Sequence, residues 1–129
     1  MKYQNKRSWK YRVYKYSEFT LYSNYGNVAH KYFQIVGNHM FVKAGYLWDG
    51  PSGPTVDSEN FMSPSLIHDV LFQCMREGLL SRDHFKLANK ELYYQCRERG
   101  MSRFRASYVK KAVDWFGKSN IKSDIIEVD

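Results

Sequence analysis

The sequence predicts an α+β protein, with a small N-terminal antiparallel β-sheet, a long Gly/Pro loop and three C-terminal α-helices. Three observations carry that expectation. Residues 9–43 alternate loosely between aromatic or β-branched and polar side chains, the period of half-buried strands. Residues 44–62 hold Gly45, Gly50, Pro51, Gly53 and Pro54 with no helical period. From Ser63 onward, apolar residues recur at helical spacing between Ser and Gly punctuation. At 129 residues the chain is most simply one domain over residues 1–117, followed by a tail over 118–129.

In the β-rich part, Trp9, Tyr11, Val13 and Tyr14, then Phe19, Leu21 and Tyr22, give the first strands. Tyr32 to Val36 and Met40 to Val42 flank Gly37-Asn38-His39, a short hairpin connection whose residues tolerate positive φ. Asn24-Tyr25-Gly26-Asn27 marks a second turn. Three or four strands result. In the helical part, Ser63 is suited to an N-cap, Pro64 to the first helical position and Gly78 to a left-handed C-terminal stop. Ser81 and Gly100 bracket a second helix, and Ser102 and Gly117 a third. Residues 118–129 read as a tail that either stays apart or adds an edge strand through Ile125 to Val128.

No apolar run is long enough to cross a bilayer, and no apolar segment follows the basic Met1 to Arg7, so no signal peptide is expected. Cys74 and Cys96 are too few for a disulfide framework and fall at different levels of a helix hairpin; both read as packed thiols. The formal net charge of +7 is uneven. Residues 1–48 hold eight Lys/Arg against one Glu, whereas residues 49–62 hold three acids and no base. A basic third suits an anionic partner, nucleic acid or lipid, and equally a solvated surface; an acidic turn suits a cation.

His68-Asp69 is the pair most able to carry chemistry. A neutral imidazole can take a proton from water, and an adjacent carboxylate can ligate a hard cation. Asp69 cannot steady the ring beside it, because neighbouring helix positions point about 100° apart. The short turn between the first two helices makes them antiparallel neighbours. His68 then lies level with Asn89, a polar residue on a face otherwise made by Phe85, Leu92 and Cys96. An Asn oxygen can accept the ring N–H but lacks the charge that stabilises an imidazolium, which predicts a weak or silent catalyst. Asp49, with Gly50, Ser52 and Pro54 in the loop, is the second candidate metal ligand beside Asp69. His68 and Asn89 are the candidate catalytic pair. The bland alternative is a buried polar cluster that pins the loop to the helices. His30, His39 and His84 lack such neighbours and read as surface histidines.

The stretch Gly45-Tyr46-Leu47-Trp48-Asp49-Gly50-Pro51-Ser52-Gly53-Pro54, followed by His68-Asp69-Val70-Leu71-Phe72, resembles a family of domains of unknown function common in tailed bacteriophages and prophages. Its pattern is Gly-x-x-x-Asp-Gly-x-Ser-x-Pro, then His-Asp-x-Leu-Tyr, then an Ala-Asp pair on the next helix. Two departures stand out: Phe72 replaces the usual Tyr, and Ala88-Asn89 replaces Ala-Asp. The resemblance covers about residues 41–117. It implies a phage-encoded structural or assembly protein of the virion, at the tail or neck, located in the virion or the host cytoplasm. Its partners would be other virion proteins or further copies of itself. A more distant similarity is to phospholipase A2 enzymes, which implies a calcium-dependent hydrolase. There His68 would activate water, Asp69 and the carbonyls of Trp48 to Gly50 would hold calcium, and Asn89 would stand in for a supporting Asp. A third alternative is a nucleic-acid-binding accessory protein using Arg97, Arg99, Arg103 and Arg105.

Overall fold

The computed structural model describes residues 11–48 and 59–128. The chain divides into two compact units, residues 1–50 and 51–129, and the fold is α+β as expected.

The first unit holds β1 (Tyr11–Arg12), β2 (Ser17–Thr20), β3 (Asn27–Ala29), β4 (Phe33–Val36), β5 (His39–Val42) and β6 (Leu47–Trp48). Four of these form an antiparallel sheet in the order β2-β5-β4-β3, and β1 pairs with β6 as a separate ribbon. β6 lies within the stretch expected to be loop. The β4–β5 hairpin turns through Gly37 and Asn38, with Val36 opposite His39. Gly37 takes φ +65° while Asn38 does not take positive φ, the pattern of a type II′ turn, whose twist matches that of the strands it joins. Asn24 Oδ1 accepts the Gly26 N–H at 2.9 Å, which closes the second expected turn.

Register then decides which side chains are covered. Phe33 faces Val42 and Ile35 faces Met40 across β4–β5, with Val28 opposite Ile35; all five are buried. Each such side chain contributes about 1.5–3 kcal/mol by leaving water. The alternate positions, among them Gln34, Val36 and His39, are exposed.

The second unit holds α1 (Glu59–Arg76), a 3-10 turn (Arg82–His84), α2 (Phe85–Glu98) and α3 (Arg103–Val128). Both interhelical stops close through glycine. At Gly78 (φ +78°) the Leu79 N–H reaches the Cys74 carbonyl at 2.7 Å, and beyond Gly100 (φ +96°) the Met101 N–H reaches the Cys96 carbonyl at 3.0 Å. Both are six-to-one Schellman closures, which satisfy carbonyls that a helix end would strand. Ser102 Oγ caps α3 by accepting the Arg105 N–H at 3.1 Å. Phe61 of α1, Leu92 and Cys96 of α2, Met101, and Ala106, Val109 and Val113 of α3 form a shared core.

Four expectations are corrected. α1 begins at Glu59, so residues 59–62 are helix rather than loop. Pro64 therefore sits inside α1, where it leaves the Asn60 carbonyl without its usual amide. Ser81 caps the 3-10 turn, its Oγ accepting the Asp83 N–H at 3.0 Å, and α2 starts three residues later than Arg82. Finally, α3 runs through Gly117 to Val128, so residues 118–128 are helical and Ile125 to Val128 add no edge strand. Gly117 is not among the glycines with positive φ. A glycine stops a helix by adopting that conformation; otherwise it costs about 1 kcal/mol and the helix continues.

Candidate functional site

His68 and Asn89 meet as their helical levels require. His68 Nε2 and Asn89 Oδ1 lie 2.6 Å apart, with His68 5 % and Asn89 0 % exposed. One turn further along α1, Phe72 meets Phe85, one turn back on α2, at 5.7 Å between ring centroids. Two contacts stepping in opposite senses establish α1 and α2 as an antiparallel pair. The Phe72 ring also lies 4.1 Å from the His68 ring.

The residue that sequence reasoning missed is Asp114. Asn89 Nδ2 donates to Asp114 Oδ1 at 2.5 Å, and Lys110 Nζ pairs with the other carboxylate oxygen at 3.0 Å. A chain of polar groups thus runs from half-exposed Asp114 on α3, through buried Asn89 on α2, to buried His68 on α1. One signal was available: Asp114 is the only acid between Arg103 and Ser123.

The chain also fixes protons. Asp114 as a carboxylate only accepts, so the Asn89 NH2 must point to it and the Asn89 oxygen must point to His68. His68 therefore carries its hydrogen on Nε2, and Nδ1 is the basic nitrogen. Burial holds the imidazole well below its ordinary value, at about 4. The Asn89 bond and the Asp114 charge act in the opposite direction, and Arg76 adds to the lowering. The ring is neutral at pH 7, the state a proton acceptor needs.

Asp69 is half-buried next to His68 on α1. Asp49, Gly50, Ser52 and Pro54 lie outside the described residues, so the convergence of the loop with His68 is not part of the described geometry. Among the described residues, no three His, Cys, Asp or Glu side chains come together to hold a metal ion. They do not by themselves form a cage for the calcium implied by the phospholipase resemblance.

The other candidates separate clearly. Cys74 and Cys96 are buried and free, and desolvation pushes both thiols up to about 12. His30, expected at the surface, is half-buried and stacks on Phe33 with centroids 4.2 Å apart and rings 2° from parallel. Two of the four arginines proposed for nucleic acid serve the end of α2. Arg97 donates to the Met101 carbonyl at 2.8 Å, and Arg99 donates to Gln95 Oε1 at 2.5 Å. Gln95 in turn donates to Glu91 at 2.8 Å, a second buried polar pair on α2 that its charged sequence conceals. No helix among the described residues is long and apolar enough to cross a membrane. Against models of known protein families, curated proteins and solved structures, the chain has no match.

Proposed function

We propose that this chain is a binding component of a tailed-phage particle or of its assembly, acting by contacts with other particle proteins. In this reading the His68 chain is a polar tie between three helices. One observation carries the proposal: Phe104, Tyr108 and Trp115 of α3 are 86, 50 and 75 % exposed. Spacings of four and seven residues put all three rings within about 40° of one another around the helix axis. Exposed apolar residues scattered singly are ordinary, whereas large rings gathered on one face mark an interaction surface, and aromatic residues dominate interface hot spots. The phage-type motifs around Gly45 to Pro54 and His68-Asp69 supply the context. The test is co-sedimentation of the chain with particles of the phage that encodes it, together with its own sedimentation behaviour. Association is expected, and Phe104→Ser with Trp115→Ser should weaken it at least tenfold. A chain that stays monomeric and never accompanies particles ends this reading.

A second reading, a metal-dependent hydrolase, is favoured by a different observation, the tautomer lock on His68. With Nε2–H bound to Asn89, Nδ1 is the nitrogen that would accept a proton from water. Asp69, next to His68 on α1, would be a cation ligand, and Asp114 would supply through Asn89 the negative charge that Asn89 lacks. Release of fatty acid from phospholipid vesicles in calcium, lost in His68→Ala, supports this reading. Absence of hydrolysis with every divalent cation tried removes it.

A further inference from the structure

We propose that one end of the four-stranded sheet is a platform for single-stranded nucleic acid, with tyrosine rings stacking on bases and neighbouring cations meeting phosphates. The placement follows from strand register. Ser17 and Phe33 both face Val42, from β2 and β4 respectively. One step further, the Lys43 N–H donates to the Tyr32 carbonyl at 2.8 Å, and Tyr16 directly precedes Ser17. Tyr16, Lys43 and Tyr32 therefore occupy the same end of three adjacent strands. The β1 segment comes to that end as well. The Gly45 N–H donates to the Val13 carbonyl at 2.6 Å, the Val13 N–H donates to Tyr46 at 2.9 Å, and the Tyr32 ring lies 3.9 Å from where a Gly45 side chain would begin. Arg12 and Tyr14 flank Val13 on either side.

The rings are open and held in place. Tyr14, Tyr16 and Tyr32 are 78, 56 and 37 % exposed. Each is braced from within the unit: Arg12 lies 5.0 Å from the Tyr14 centroid, Lys31 lies 5.5 Å from that of Tyr32, and Phe41 stacks with Tyr16 at 6.4 Å. A braced ring has less rotamer freedom to lose when a ligand lands on it. The charge is one-sided, since Glu18, beside Tyr16, is the only acid from residue 11 to 48.

The chemistry selects among polyanions. Single strands present unstacked bases to aromatic rings and phosphates to cations, whereas a duplex hides its base faces. Protein interfaces are depleted in Lys, which counts against an acidic protein as the occupant. This surface belongs to the β unit and is independent of the α3 face invoked above.

The full chain can be tested by fluorescence anisotropy with a labelled oligothymidine of about 16 nucleotides. Binding is expected, with log K falling against log salt at a slope of about −2, as for three phosphate contacts on a single strand. Tyr14→Ala and Tyr32→Ala should each weaken binding about tenfold without changing that slope. The Tyr→Phe changes, which keep the ring, should restore it and guard against misfolding. Lys43→Gln should flatten the slope by about 0.7, and Lys86→Gln, at an exposed position of α2, should leave binding as it was. The proposal is overturned by absence of binding at low salt, by equal affinity for a duplex or inorganic polyphosphate, or by ring substitutions without effect. Preference for phosphatidylglycerol vesicles over the oligonucleotide would overturn it in favour of a lipid surface.

Discussion

Acidification should destabilise the helical unit through a single side chain. The native His68 ring titrates at about 4 against an ordinary value of 6.5, so between those two pH values the unfolded chain binds a proton that the folded one refuses. Stability then falls as pH decreases, by about 1.4 kcal/mol per pH unit, and about 3 kcal/mol is lost by pH 4. Above about pH 6.5 the contribution is complete and constant. The assay is urea unfolding followed by helical circular dichroism at a series of pH values, on wild type and His68→Phe. The variant strands the Asn89 oxygen and should be less stable at neutral pH by about 1–3 kcal/mol. Because it has lost the titrating group, its stability should fall less steeply, and the two curves should converge towards pH 4. Curves that stay parallel from pH 7 to pH 4 would refute the claim that a neutral, desolvated imidazole sits between the helices.

Three further outcomes test other parts of the structure. Asn89→Ala removes both bonds of the chain and leaves the His68 N–H unsatisfied; a loss of about 3 kcal/mol is expected in the same unfolding assay. Cys74 and Cys96, buried and with thiols raised to about 12, should resist a thiol reagent at pH 8 until denaturant is added, whereas labelling of the native chain within minutes would contradict their burial. Gly37→Ala should cost about 1 kcal/mol in thermal unfolding of the β unit, because φ is +65° there and the new Cβ would lie 3.4 Å from Asn24 Nδ2.

Sequence reading succeeded where local chemistry decides the outcome. Gly78, Gly100 and Ser102 end or start helices through backbone conformation and a single hydroxyl, so their roles are visible one residue at a time. The His68–Asn89 contact was legible because a short turn ties the levels of two helices together. Asp114 was within reach of the same rule, since the short turn from Arg99 to Ser102 sets Asn89 of α2 level with positions 113 and 114 of α3, but an acid on a helix surface looks like any other solvated charge. The extent of α3 was misjudged for the opposite reason: Gly117 carries the residue type of a stop without its left-handed backbone. The start of α1 was hidden because Ser63-Pro64 imitates a helix opening within a helix already under way.

The Asn89 amide has a direction, and that direction has a consequence for how the chain can be cut or redesigned. Turning the amide over would set two donors against each other at His68 and two acceptors against each other at Asp114, so the orientation is enforced from the α3 side. A residue 46 positions later in the chain thereby decides which ring nitrogen of His68 keeps its hydrogen. Any fragment that ends before Asp114 would retain the histidine and its immediate neighbour but surrender control over which tautomer the ring adopts.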